Sequence, residues 1–270
     1  NDYFVLIIDR FGRISSLYDK GAQREVIASG SYGNVFQIFE DRPLDFDAWN
    51  IDRYFDDKMQ EINDVQSIKV IESGPVRGVL EIRKNFSFST IVQRIQIYET
   101  IPRIDFYTQI EWAETHSMLK VAFPVAVNST NATYEIQFGN IERPTHRSSS
   151  WDQAQFEVCA QKWADLSEGD YGVSLLNDCK YGYDVEGNVM RLTLLRSPKA
   201  PDPQTDQGYH EFTYSLFPHI GNWRNGSIRA GYELNYPMKI VTTGIHDGDL
   251  PNEFSFASTN KDGGFIDTIK

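Results

Sequence analysis

Cysteine is nearly missing from this sequence: Cys159 and Cys179 are the only two in 270 residues. So few cannot make a disulfide framework. Both stand in strand-like surroundings, and the expectation is a pair of buried free thiols in a reducing compartment. Long apolar runs are missing too. No stretch approaches the roughly 20 apolar residues of a membrane-crossing helix, so no membrane is expected as a partner. A basic surplus is absent, with 26 Lys and Arg against 38 Asp and Glu and a formal net charge of −12. Nucleic acid and anionic lipid both need a basic face, so neither is expected. The start, Asn1-Asp-Tyr-Phe-Val5, lacks an initiating Met, a basic n-region and a signal-peptide apolar core. The expectation is a cytoplasmic chain that begins inside a longer protein.

Self-contained catalytic motifs are also lacking. The five histidines are His116, His146, His210, His219 and His246, and no two stand at a metal-ligand spacing. There is no Cys-x-x-Cys, nucleophile elbow, phosphate loop or dinucleotide fingerprint. No catalytic residue and no metal ligand is therefore assigned. A dispersed carboxylate pair stays open, because sequence cannot show which acids meet in space.

What is present is a period of two. Residues 3–9 and 14–19 read as a hairpin around a turn in which Gly12 supplies a positive φ. Long β-branched and aromatic runs follow at 76–88, 90–98, 104–112 and 119–127. In 91–98, Ile91, Gln93, Ile95 and Ile97 share one face, the mark of a half-buried antiparallel strand. Further strands are predicted at 134–138, 156–161, 172–176, 180–185, 189–195 and 211–217, with a hairpin turn at 185–189. One helix is predicted over 223–234, weakened by Gly226 and Gly231. Strands are predicted again from Val241, with the turn 260–264 feeding 265–269, and the chain is expected to continue past Lys270. No repeat or linker divides the sequence. The expected fold is all-β, a large antiparallel β-sandwich forming a single domain over 1–270.

Four segments could carry function. In Glu40-Asp-Arg-Pro-Leu-Asp-Phe-Asp-Ala-Trp-Asn-Ile-Asp-Arg-Tyr-Phe-Asp-Asp-Lys58, carboxylates are interleaved with Trp49, Tyr54 and Phe55. Such a mixture suits a saccharide subsite, an interface with another domain, or a solvated loop. Residues 141–151 read as a loop in which Glu142, Arg143, His146 and Arg147 could reach a substrate or a neighbouring domain, or pair among themselves. The loop 195–210 holds three prolines that stiffen it, and a stiff excursion of this kind tends to touch something. Last, Pro218-His219 precedes Trp223, which either stacks on a sugar or anchors the predicted helix.

In order, several of these segments resemble the β-rich C-terminal region of glycoside hydrolase family 38 α-mannosidases, in the cytosolic and bacterial branch. The matches are Phe-Gly-Arg-Ile-Ser-Ser-Leu-Tyr-Asp-Lys at 11–20, Phe-Glu-Asp-Arg-Pro-Leu-Asp-Phe-Asp-Ala-Trp at 39–49 and Ile-Glu-Arg-Pro-Thr-His at 141–146. Residues 162–168, 171–178, 194–199 and 218–219 continue them, to about residue 240. The resemblance implies a β-supersandwich similar to galactose mutarotase, and a parent enzyme that is a retaining α-mannosidase acting on mannose-containing oligosaccharides. It implies that the nucleophile and a divalent metal, usually zinc, reside in a catalytic α/β domain of the same chain outside these residues. No cofactor is then expected here, and the role is to brace or line a site built elsewhere. Glu142, Arg143, His146, Arg196 and His219 are the candidates to line it, with Trp49, Tyr54 and Trp223 at an interface or against a sugar. The alternatives are a stand-alone carbohydrate-binding module, and an aldose epimerase pairing His146 or His219 with Asp178 as acid and base.

Overall fold

The computed structural model describes residues 1–261 and 264–269, and the chain divides into two units, residues 1–237 and 238–270. The first unit opens on the expected hairpin. Strands β1 (Phe4–Ile8) and β2 (Ile14–Asp19) pair antiparallel, and β3 (Arg24–Glu25) adds to β2. Gly12 takes φ +72° in the turn, where other residues meet a steric penalty. Packing adds a second demand, since a Cβ there would lie 2.9 Å from Ile82 Cγ2.

Two larger sheets follow. After β4 (Val35–Glu40) and β5 (Met59–Glu61), the chain meanders through β6 (Asp64–Ser73), β7 (Arg77–Phe86), β8 (Ser89–Tyr98) and β9 (Ile104–Trp112). Next come β10 (Ser117–Pro124), the hairpin β11 (Asn131–Ile136) and β12 (Gly139–Pro144), and the short helix α1 (Ser150–Gln153). The last strands are β13 (Val158–Cys159), β14 (Trp163–Glu168), β15 (Tyr171–Asn177), β16 (Gly182–Glu186), β17 (Val189–Arg196) and β18 (Gly208–Ile220), before helix α2 (Ser227–Asn235). One sheet has the order β13-β16-β17-β10-β4-β5, and the other β12-β11-β14-β15-β18-β9-β8-β7-β6.

The two sheets share a core, which makes the fold an all-β antiparallel sandwich. Phe36, Leu119, Val121, Phe123 and Leu192 of the smaller sheet are buried in one cluster with Ile91, Ile95, Phe106, Tyr214 and Leu216 of the larger. The Phe106 ring lies 5.6 Å from Phe123 and stacks on Tyr214 at 5.0 Å. Gln93, on the inner face beside Ile91 and Ile95, is buried with every polar atom paired. Its amide nitrogen donates to Thr108 Oγ1 at 3.1 Å and Tyr214 Oη at 2.7 Å, and its oxygen accepts from Asn34 Nδ2 at 2.7 Å. A buried amide left unpaired would cost on the order of 1–3 kcal/mol.

Several expectations need correction. Residues 141–144 are not loop but part of β12, so the irregular stretch there begins only at Thr145. Strands β4, β5, β6 and β14 add to those predicted. The cysteines are free, as expected, but both are exposed: Cys159 lies on β13 at a sheet edge and Cys179 in the bend after β15. From Met238 onward the described residues contain no strand or helix, although the sequence predicts strands there. The predicted turn at 260–264 falls partly on Asp262 and Gly263, outside the described residues.

Candidate functional site

The acidic-aromatic segment leaves β4 after Glu40 and returns at β5. Between them, residues 41–58 close on themselves. Trp49 N and Asn50 N both donate to Phe46 O, at 2.7 and 2.9 Å, with Phe46 at φ +57°. Leu44 N donates to Asp52 Oδ2 at 3.0 Å. Near its return, Phe55 is buried and fixes the loop from below. Its ring meets Phe39 at 5.2 Å and Phe156 at 6.0 Å, and Lys120 Nζ lies 4.9 Å from its centroid. Lys120 is wholly buried and held by Glu157 and, at 2.6 Å, by Asp184. Asp184 also accepts from Arg191 Nε at 2.6 Å. Buried charge is tolerated here because each ion has opposite partners.

Arg196, at the end of β17, is the clamp. Its Nε donates to Asp41 Oδ2 at 2.5 Å, and its terminal nitrogens donate to the carbonyl oxygens of Asp47 at 2.8 Å, Ala48 at 3.1 Å and Asn50. One planar guanidinium thus ties the first acid of the loop to the backbone of its crown. Asp41 is buried, and burial pushes its carboxyl above the usual range despite Arg196 beside it. The stiff proline loop also reaches this place. Lys199 N and Ala200 N donate to Asp47 Oδ2 at 2.6 and 3.2 Å. Asp47 Oδ1 faces His116 Nδ1 at 3.9 Å, and both atoms are buried without a direct hydrogen bond. Arg147 joins the neighbouring segment, donating to Asp56 at 3.3 Å and contacting Glu186 at 3.1 Å.

The outcome is a loop pinned from within by Phe55, with Phe46, Trp49 and Tyr54 exposed. Trp49 is 72% exposed and Tyr54 59%, and Tyr54 lines a cleft of about 390 Å³ between residues 40–44 and 52–58. Tyr54 Oη accepts from Arg53 at 2.6 Å. Exposed aromatic faces next to carboxylates can stack on sugar C–H groups and accept from hydroxyls. Among the described residues, no group of three or more His, Cys, Asp or Glu side chains is placed to hold a metal ion.

Of the candidates, Arg196, Trp49 and Tyr54 belong to this one assembly. The others lie elsewhere. Glu142 is exposed on β12, and Arg143 packs over the Tyr134 ring at 4.8 Å and donates to Cys159 O rather than pairing with Glu142. His146 is exposed, 3.5 Å from Asp152, whose carboxylate caps α1 and is held below its usual range by the Ser149 hydroxyl. His219 is buried. Its Nε2 contacts Asp165 Oδ2 at 2.7 Å, and Ser174 Oγ bridges that carboxylate to Ser227 on α2. Trp223 stacks on buried Trp163 at 5.4 Å, which supports the helix-anchor reading. The acid–base pair imagined for an epimerase does not form, since His219 pairs with Asp165 and His146 neighbours Asp152. Asp41, Asp47 and Lys199 escaped selection although their segments stood out. Asp41 carried a signal in its charge opposite Arg196, whereas Asp47 meets Lys199 through a backbone N–H that no side chain announces. His116 carried no signal.

A family model described as the glycosyl hydrolases family 38 C-terminal domain matches residues 1–204. The chain belongs to that family. Curated relatives match with high identity: Alpha-mannosidase G of Dictyostelium discoideum is 44% identical over 278 residues, covering 100% of this chain and 26% of that protein. Human Alpha-mannosidase 2C1 is 45% identical over 237 residues, covering 86% of this chain and 22% of that protein. The chain thus spans about a quarter of the length of these curated relatives. Among solved structures, an alpha-mannosidase from Enterococcus faecalis V583 superposes with TM-score 0.75 at 18% identity, covering 93% of this chain and 32% of that one. That likeness speaks to the fold alone. No helix of the described residues is long and apolar enough to cross a membrane.

Proposed function

We propose that this chain is the C-terminal accessory domain of a longer, retaining α-mannosidase, and that loop 41–58 braces and lines its mannoside site. The observation that carries the reading is the Arg196 clamp, which fixes Trp49 and Tyr54 as exposed aromatics on a loop held from below. Relatives at 44% and 45% identity bear the name α-mannosidase, which supports the chemistry. In this reading the nucleophile, the general acid and a divalent metal such as zinc come from the remainder of the parent. The substrate is a terminal α-D-mannoside of an oligosaccharide. This chain supplies position: a pre-formed wall loses little entropy when substrate arrives, so its contacts can be spent on orientation. Glu142, Arg143 and His146 sit on or after the edge strand β12 and are assigned to the rim, whereas buried His219 is assigned a structural role. The exposed cysteines, free of disulfides, agree with a cytoplasmic setting.

Trp49→Ala in the parent enzyme tests this. Trp49 is exposed, so the fold should survive, while kcat/KM on an aryl α-mannoside should fall about tenfold, the loss of ~1.4 kcal/mol of binding. Unchanged kcat/KM would remove Trp49 from the site. The cleft lined by Tyr54 and the carboxylates of Asp41, Asp52 and Asp57 also favours a second reading, a stand-alone sugar-binding module. Calorimetric titration of the 270-residue chain with mannose and mannobiose separates the two, because only the module should give measurable heat.

A further inference from the structure

Two buried polar atoms at the crown of loop 41–58 face each other unpaired. Asp47 Oδ1 and His116 Nδ1 stand 3.9 Å apart, shut away from solvent, and neither has another hydrogen-bond partner. The neighbouring acids are already balanced, Asp41 by Arg196 and Glu40 by Arg42 and Lys58. Among the described residues no Lys or Arg side chain pairs with Asp47, whose Oδ2 accepts from Lys199 N and Ala200 N. A carboxylate oxygen only accepts, so the ring nitrogen opposite it satisfies both atoms when it carries a proton. The backbone presets this contact. His116 N donates to Ser197 O at 2.7 Å, His116 O accepts from Asp41 N at 2.8 Å, and φ of His116 is +50°. A small turn of the ring then closes the 3.9 Å gap to the ~2.8 Å of a charge-assisted hydrogen bond.

The other edge of the ring meets a cleft. The His116 side chain is 24% exposed, and its second nitrogen, Nε2, is not enclosed as Nδ1 is. The cleft measures about 410 Å³, and Gln60, Phe86, Thr115 and Ser117 line it with His116. An aromatic ring beside an amide and hydroxyls is a lining that holds and orients a polar ligand such as a sugar. Glu40, Arg42 and Lys58 line both this cleft and the one that Tyr54 lines, so the two share a wall. We propose that Asp47 holds His116 as the Nδ1–H tautomer, and that Nε2 accepts from a hydroxyl of a second sugar residue bound in this cleft. His116 is then a binding residue for the sugar next to the one at Tyr54, and Asp47 is its positioning residue. A carboxylate on one ring nitrogen fixes both the tautomer and the direction in which the other nitrogen accepts. Sugar as the ligand rests on the α-mannosidase reading above, whereas the tautomer stands on geometry alone.

Nitrogen-15 NMR of the histidine rings in the wild-type 270-residue chain, at about pH 8.5, reads the tautomer directly. His116, assigned by the loss of its signals in His116→Asn, should carry its proton on Nδ1 and leave Nε2 bare. A proton on Nε2, alone or together with one on Nδ1, overturns the proposal. Asp47→Ala should move the proton to Nε2, and a tautomer unmoved by that change overturns the role of Asp47. The subsite is tested in the full-length parent with His116→Asn, which keeps an N–H toward Asp47 and suits a positive φ but offers nothing in place of Nε2. The ratio of kcat/KM for mannobiose to kcat/KM for an aryl α-mannoside should fall about tenfold, through a higher KM for mannobiose with kcat within about twofold. An unchanged ratio, or a loss carried by kcat, overturns the subsite. Trp49→Ala tests the α-mannosidase reading on the aryl substrate alone, so failure there and failure here are distinguishable.

Discussion

Lys84 shows what single residues contribute and what sequence hides. It sits on β7, in a stretch that reads as half-exposed, yet it is 2% exposed, with Nζ donating to Ile62 O at 3.2 Å and facing the Phe36 ring. Burial pulls its pKa from 10.5 down to about 8. Between those values the unfolded chain holds a proton that the folded chain has lost, so this group adds stability as pH rises through the window. Relative to Lys84→Met, the wild type should therefore gain on the order of 3 kcal/mol between pH 7 and ~10.5. Urea denaturation of both proteins across that range checks the slope, and a pH-independent difference would contradict the burial of a neutral amine. Alternation alone could place Gln93 on the inner face. It could not reveal that Asn34, Thr108 and Tyr214 close a polar ring around it, because those partners come from three distant segments.

At the scale of elements, readability followed the regularity of the pattern. Strands β8 and β9 keep their alternation and appear where predicted, and β2 appears where its hairpin turn places it. Strand β6 was missed because its register shifts between Val65 and Ser67 and again between Val70 and Glu72, and each bulge breaks the period of two. Strand β12 looked like a loop because it is an edge strand, where charge and proline protect against unwanted pairing. Gly231 argued against α2 by propensity, but a Cβ there would approach Trp163 Cδ1 at 3.2 Å, so the glycine permits close packing of helix on sheet. Loop 41–58 is an element of a different kind, organised by one guanidinium. Arg196→Ala should cost about 3 kcal/mol, since it leaves the Asp41 carboxylate buried without its counter-ion. The sign of the pH dependence follows from Asp41. Its folded pKa is already raised by burial, and losing Arg196 raises it further, so the folded state binds the extra proton. The variant's deficit should be full at neutral pH and shrink as pH falls through the folded pKa toward the unfolded value. Denaturation midpoints at pH 7 and pH 5, with limited proteolysis inside 41–58, check both parts.

For the whole molecule, the proposed function amounts to a division of labour. This domain contributes a sandwich scaffold and a stiff aromatic loop, and the reaction centre is assigned to the rest of the parent. The scaffold was readable because binary alternation acts locally, whereas the site was only half readable. The segment 40–58 and Arg196 could be picked out by composition and resemblance, but the clamp joining Arg196 to Asp41, Asp47 and Ala48 spans about 150 positions and exists only in the fold. The direct test of that clamp's role is steady-state hydrolysis of an aryl α-mannoside by the full-length parent carrying Arg196→Ala, beside Arg196→Lys. If the domain lines the site through this loop, kcat/KM falls at least about tenfold in both variants, because lysine cannot reproduce the planar fork. Wild-type kcat/KM in Arg196→Ala, with loop 41–58 loosened, would contradict the account.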